Sequence, residues 1–307
     1  MTYRILSFDG GGVRGVIPAV VMQRLNETSG LEGWLDKVDL LAGTSTGGLL
    51  ALGLAYGLPP DTIRHLYESK GKAIFDDTWF DDLVDLGSVI GADYDIKNLE
   101  CELKNIFGQT TLGQLNKRVL ITAFDLDNES PDPASRYWKP KLFHNLDGAS
   151  NDSDQLAYKV GLYTAAAPTY FPSVDGYIDG GVFATNPSMC ALAQSQDDRY
   201  NNRPALSDVA LLSLGTGTPL VYVQGQTLDW GYGQWARPLV NLMLDGVAGI
   251  ADYQCRQLLG ERYHRLGPAF PPRVYIDMDR VDQIPYLLEF AHNLDLTATA
   301  DWLKSNW

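Results

Sequence analysis

The run Val38-Asp39-Leu40-Leu41-Ala42 passes straight into Gly43-Thr44-Ser45-Thr46-Gly47 and then into Gly48-Leu49-Leu50-Ala51-Leu52-Gly53-Leu54-Ala55-Tyr56-Gly57. A β-rich apolar stretch, a turn of small residues and a longer apolar stretch read as strand, tight turn and buried helix. Gly57 and Pro59-Pro60 close that helix. Such a junction belongs to a layered α/β core, and Ser45 stands at its tip. There the hydroxyl is held clear of the backbone. The first free N–H groups and the positive end of the helix dipole face the place where negative charge would develop. The flanking glycines leave room for the sharp turn and for strand and helix to approach. Ser45 therefore reads as a nucleophile for an ester carbonyl. The competing reading is a strand–helix junction with an inert serine.

A second feature sits at the N-terminus. Tyr3-Arg4-Ile5-Leu6-Ser7-Phe8 reads as the first strand and runs into Asp9-Gly10-Gly11-Gly12-Val13-Arg14-Gly15, followed by a helix from about Ile17 to Leu25. Three consecutive glycines leave backbone N–H groups unshielded at a helix start, which suits an anion. One candidate is a dinucleotide pyrophosphate, since Gly10, Gly12 and Gly15 satisfy GxGxxG and Glu27 and Glu32 lie near the spacing of a ribose-binding acid. The other is the oxyanion of a tetrahedral intermediate, and the serine turn later in the chain favours it. A packing role alone is the bland alternative.

A serine nucleophile needs a base. The four histidines are His65, His144, His264 and His292. The last two follow the serine at a distance that a Ser–acid–His order would allow. His264, in Glu261-Arg262-Tyr263-His264-Arg265, reads as part of a solvated helix end, and His292 lacks any turn that would present it. Asp179 is the stronger candidate. It ends a short strand in Tyr177-Ile178-Asp179-Gly180-Gly181-Val182-Phe183, and a buried aspartate with a raised pKa can take a serine proton directly. Taken alone, Asp-Gly-Gly is also a hairpin turn.

Together these segments resemble the patatin-like phospholipases. Asp9 to Gly15 with Val16-Ile17-Pro18 is similar to the family's oxyanion segment. Gly43 to Gly48 is similar to its nucleophile elbow. Ala165-Ala166-Ala167-Pro168-Thr169-Tyr170-Phe171-Pro172 with Asp179-Gly180-Gly181 resembles its catalytic-aspartate segment. Asn186-Pro187 and Leu214-Gly215-Thr216-Gly217 also fall where the family has similar residues, and Tyr263-His264-Arg265-Leu266 is a fainter late match. The resemblance implies a mostly parallel central sheet flanked by helices, an α/β-hydrolase-related three-layer sandwich. It implies a dyad of Ser45 and Asp179 with no histidine, no metal and no cofactor. It implies an oxyanion hole from the N–H groups of Gly10, Gly11 and Gly12 with Arg14 beside it, and cleavage of acyl esters of membrane lipids. Rival readings are a signal-activated membrane-degrading effector of the same family, a nucleotide-binding protein and a storage protein on this fold.

The net charge of −14 argues against nucleic acid and against attraction to anionic lipid. Contact with a membrane would rest on local apolar groups, with Trp79-Phe80 and Trp230, Tyr232 and Trp235 as candidates. The three cysteines, Cys101, Cys190 and Cys255, have no metal-ligand spacing and read as buried free thiols. The first strand begins at Tyr3, with no charged and apolar leader before it, and no apolar run reaches the roughly 20 residues of a membrane span. The expectation is a cytoplasmic protein whose 307 residues form one domain.

Strands are expected at 3–8, 38–42, 118–124, 176–179, 209–214 and 273–276. Helices are expected at 17–27, 46–56, 60–72, 95–106, 156–165, 187–195, 237–259 and 284–292. The stretches Asp127–Ser135, Asp147–Asp154 and Asp197–Pro204 read as surface loops. The acidic pairs Asp76-Asp77 and Asp81-Asp82 read as solvated caps rather than a metal site. The Gly-, Tyr- and Trp-rich segment 219–236 reads as a surface loop or a lid.

Overall fold

A computed structural model of the chain describes residues 2–74, 95–148 and 150–307. Among these residues seven strands form one sheet: β1 (Tyr3–Phe8), β2 (Leu40–Thr44), β3 (Arg118–Asp125), β4 (Lys139–His144), β5 (Tyr177–Asp179), β6 (Val209–Leu214) and β7 (Tyr263–Leu266). The order across the sheet is β4-β3-β2-β1-β6-β7, and β5 also pairs with β3. Strands β3, β2, β1, β6 and β7 run parallel, whereas β4 and β5 run antiparallel to β3. The fold is therefore α/β with a mostly parallel sheet, as the motifs imply.

Because successive strand residues face opposite sides, apolar strands in the middle of a sheet build two cores. Leu6, Phe8, Leu41, Val119, Ile121 and Leu214 join α1 (Val16–Asn26), α2 (Thr46–Tyr56), α3 (Pro60–Ile74), α4 (Lys97–Phe107) and α5 (Ala157–Ala165) on one face. Ile5, Leu40, Ala42, Leu120 and Leu211 alternate with them and meet Ala191 and Leu192 of α7 (Ser188–Ser195) and Cys255 and Leu259 of α8 (Tyr232–Leu259) on the other. Between β5 and α7 lies the single-turn helix α6 (Gly181–Ala184). Helices α9 (Ile284–His292) and α10 (Thr297–Asn306) extend the first core through Leu287, Ala291 and Leu303.

Several expectations are corrected. Residues 273–276 form no strand, because Pro271-Pro272 precede them and Arg273 is left-handed at φ 69°. They run instead as an extended strap whose Ile276 joins the core. The last strand is β7, which contains His264, so that histidine is not on a solvated helix end. It stacks on Trp302 with centroids 5.5 Å apart and bonds Thr299 Oγ1. Strand β4 and helix α10 were not anticipated. Segment 219–236 is not wholly loop, since α8 begins at Tyr232, and Trp230 and Trp235 pack edge-on against each other at 5.1 Å. Of the three cysteines only Cys255 is buried, while Cys101 is exposed and Cys190 half-buried. The acidic pairs at 76–77 and 81–82 and the Trp79-Phe80 segment lie outside the described residues. No helix among the described residues is long and apolar enough to cross a membrane.

Leu41, on the middle of β2, is fully buried in the first core four residues before Ser45. Leu41→Ala is expected to lower the unfolding free energy by about 2–5 kcal/mol, as lost transfer energy plus a cavity. Urea titration monitored by tryptophan fluorescence, with an unchanged slope against denaturant, would check it.

Candidate active site

Ser45 is the first residue after β2 and the N-cap of α2, with φ 55° and ψ −128°. A non-glycine residue in such a conformation is strained by roughly 1–3 kcal/mol and persists only where its surroundings fix it. They do so here. The Ser45 N–H donates to Thr164 Oγ1 at 2.8 Å, and the preceding Thr44 hydroxyl bonds Thr122 Oγ1 at 2.7 Å and the Ala184 carbonyl at 2.5 Å. Gly47 permits the turn, because a Cβ there would lie 2.6 Å from the Asp9 carbonyl oxygen at the end of β1. The Thr46 and Tyr67 hydroxyls form a short hydrogen bond that ties the start of α2 to α3.

Asp179 reaches the same place by sheet register. On β3, Thr122 is opposite Thr44 of β2, and the next residue, Ala123, is opposite Asp179 of β5. Strand β4 already occupies the other edge of β3 from Leu120 to Asp125. Strand β5 thus continues the β2 edge, directly beyond the point where β2 turns away at Ser45. Asp179 is 5 % exposed. Its N–H donates to the Ala166 carbonyl at 2.9 Å, and its Oδ1 accepts the Gly181 N–H at 2.7 Å. Burial pushes the Asp179 carboxyl up to about 6, and hydrogen bonds from the Ser45 side chain and the Gly181 N–H to the carboxylate oppose the rise.

The glycine loop lies over Ser45: a Cβ on Gly10 would sit 3.3 Å from Ser45 Cβ. The Gly10 N–H donates to the Thr185 carbonyl at 2.9 Å and is therefore engaged, a departure from its expected place among the anion donors. Among the described residues no hydrogen bond takes the N–H of Gly11 or Gly12. Gly12 has φ 58°, and any side chain there would run into the Met278 carbonyl. That carbonyl also accepts the Val13 N–H at 2.8 Å, so the strap before α9 braces the loop. The Thr216 hydroxyl donates to the Gly10 carbonyl at 2.6 Å, which accounts for the Leu214–Gly217 motif. Arg14 donates to the carbonyls of Gly11 (3.2 Å) and Gly217 (3.4 Å), so its guanidinium braces the loop as well.

One bracing residue was not singled out from the sequence. Arg265 of β7 grips Asp9 with both Nη atoms, at 2.6 and 3.2 Å, and also donates to Ser213 Oγ at 2.7 Å. Burial pushes the Asp9 carboxyl up and the guanidinium pulls it back. The only signal was its place among the faint late matches, 256 positions from Asp9 in a charged segment.

None of the histidines is hydrogen-bonded to Ser45 among the described residues. His65 faces Glu68 at 3.0 Å, His144 is buried on β4, His264 lies against α10, and His292 is exposed at the end of α9. No group of three or more His, Cys, Asp or Glu gathers where a metal could sit, among the described residues. Beneath Ser45 opens a cavity of about 130 Å³ between α2, α3, α4 and α5, walled by Leu49, Leu50, Ile63, Leu103, Phe107 and Phe171. The Lys70–Glu102 ion pair (3.0 Å) joins α3 to α4 along its side.

A mostly parallel α/β sheet with a strained strand–serine–helix turn beside a buried carboxylate defines a class of hydrolase-like α/β proteins. The match of the chain to known proteins is more specific. The patatin-like phospholipase family matches residues 6–192, so the chain belongs to that family. It is 31% identical to a cGAMP-activated phospholipase of Pseudomonas aeruginosa, over 92% of this chain and 83% of that one. It is 28% identical to patatin-like protein 1 of Oryza sativa subsp. indica, over 81% and 68%. It is 25% identical to the putative sporulation hydrolase CotR of Bacillus subtilis, over 99% and 98%.

Two outcomes follow from the buried charges. The folded-state pKa of Asp179 lies above its ordinary 3.8, so the folded state holds the proton more tightly than the unfolded state. Wild-type stability therefore falls as pH climbs from about 4 through about 6, by up to about 3 kcal/mol for a two-unit shift. Asp179→Asn can keep the bond from Gly181 without the charge. It is expected to be more stable than wild type by about 1–3 kcal/mol at pH 8 and nearly equal to it at pH 4, measured by chemical denaturation. Arg265→Met removes one half of a buried pair and is expected to destabilise by about 3–5 kcal/mol at pH 8. The deficit should shrink toward pH 5 as the isolated Asp9 takes up a proton.

Proposed function

We propose that the chain is a lipid acyl hydrolase in which Ser45 is the nucleophile and Asp179 the general base. The observation that carries this reading is the strained Ser45 held against a buried carboxylate of raised pKa at the mouth of an apolar cavity. Ser45 Oγ attacks the ester carbonyl carbon while its proton passes to Asp179. The carbonyl oxygen becomes an oxyanion and is met by the N–H groups of Gly11 and Gly12 and by the positive end of α2. When the tetrahedral intermediate collapses, the C–O bond to the lipid alcohol breaks and Asp179 returns the proton to the departing alkoxide. Water then attacks the acyl-serine, with Asp179 taking its proton and passing it to Ser45, and a fatty acid leaves. The substrate is an acyl ester of a membrane phospholipid or glycolipid, met at a membrane surface.

The base must be ionised to accept a proton, so activity should rise with pH through about 6 and level off above it. An ordinary carboxylate would place that limb near 4. Acyl release from mixed bilayer lipids with EDTA present, followed by mass spectrometry, tests the dyad. Ser45→Ala and Asp179→Asn are each expected to lose at least about a thousandfold in kcat while remaining folded. Full turnover in either would overturn it.

A second reading is favoured by one relative's name, a cGAMP-activated phospholipase at 31% identity. On that reading this chain is a signal-activated effector of the same family, silent until a cyclic nucleotide binds. Lipid release that begins only when cGAMP is added would select it, and full release without nucleotide would reject it.

A further inference from the structure

We propose that Gly53 sets the acyl-chain length the site accepts, by leaving open the far end of the cavity beneath Ser45. This rests on the acyl-hydrolase reading above. The cavity follows α2 from Ser45 to Gly53 and ends among Leu58, Ile63 and Phe107. Eight residues of helix span about 12 Å, the reach of roughly eight to ten acyl carbons. Its volume of about 130 Å³ is similar to that of apolar cavities that admit a six-carbon ring. Both measures point to a site that encloses about six to ten carbons of the acyl chain.

Gly53 lies inside a helix, where glycine is destabilising relative to alanine. The atoms nearest a side chain there belong to other side chains rather than to backbone. The Gly53 backbone is not left-handed, and the atoms nearest a Cβ there would be Ile63 Cδ1 at 3.3 Å, Ile63 Cγ1 at 3.6 Å and Leu58 Cδ1 at 3.6 Å. These are side-chain atoms that can move. The two glycines of the serine turn differ, because a Cβ on Gly43 or Gly47 would strike backbone. A side chain at position 53 would press on Ile63 and Leu58 and fill the end of the cavity that these three residues line, where the acyl terminus would lie.

The test measures kcat/KM for p-nitrophenyl esters from C2 to C16 with wild type, Gly53→Leu, Gly53→Ala and Ile63→Ala, after each variant's thermal melt has been recorded. Wild type is expected to peak between C6 and C10. Gly53→Leu should lower the C8-to-C4 ratio of kcat/KM by about tenfold or more, since a hydrophobic pocket discriminates by that much per methylene. Gly53→Ala, which adds one carbon, should shift the profile in the same direction by about one carbon. Ile63→Ala, which opens the same end, should shift it toward longer chains. If Gly53→Leu does not fold, the opposed shifts of the other two variants decide. An unaltered profile, or a wild-type rate rising smoothly to C16, would overturn the role of Gly53 while leaving the serine hydrolase standing. Ester hydrolysis that persists undiminished in Ser45→Ala would instead overturn the reading beneath it.

Discussion

One edge of β3 fixes the site. Strand β2 pairs with it as far as Thr44–Thr122, and β5 takes over at Ala123–Asp179. The handover is possible only because the chain leaves the sheet at Ser45. A β2 longer by two residues would occupy the edge that β5 needs, and the carboxylate would have no place beside the hydroxyl. The strain at φ 55° and the position of Asp179 are thus two consequences of one break in the sheet. Hydrogen bonding in the ladder holds both to β3, so neither depends on a mobile loop for its relation to the other.

Burial does the electrostatic part. A carboxylate on the surface would be ionised but weakly basic, and a poor acceptor for a hydroxyl proton. Enclosed between Ala166, Gly181 and the α6 turn, Asp179 loses water and its pKa climbs toward neutrality. The Ser45 side chain and the Gly181 N–H oppose the climb. The opposite solution appears at Asp9, equally buried but clamped by Arg265. One carboxylate is held by hydrogen bonds without a guanidinium against it, and the other is clamped by a guanidinium and holds a loop in place.

Much of this was legible in the chain, and what was not has a common cause. The Ser45 turn, the Gly10–Gly12 loop and the short strand ending at Asp179 are local patterns of glycine and apolar residues, and local patterns survive into structure. The strands that were missed carry charge: Lys139-Pro-Lys opens β4, and His264-Arg265 fills β7. The segment around His264-Arg265 reads as solvated by composition, and only the folded chain shows that Lys141 meets Asp152 and Arg265 meets Asp9. The stretch Arg273-Val-Tyr-Ile misled in the other direction. Its residues favour β, but it follows two prolines and a left-handed Arg273, and among the described residues it joins no strand of the sheet.

The glycine loop shows why the C-terminal third matters to a site that lies in the first two-thirds. A loop rich in glycine loses more conformational entropy on ordering than any other, so it cannot hold its own shape. Here the shape is imposed from outside: Thr185 holds the Gly10 N–H, Thr216 its carbonyl, Met278 the Val13 N–H, and Arg265 the Asp9 carboxylate. Three of these four lie beyond residue 192, where the family match ends. Preorganised donors can stabilise an oxyanion only if they need not reorganise as charge appears. The later strands and the strap therefore belong to the site in a physical sense, and Met278 of the strap lines the same cavity as Ser45.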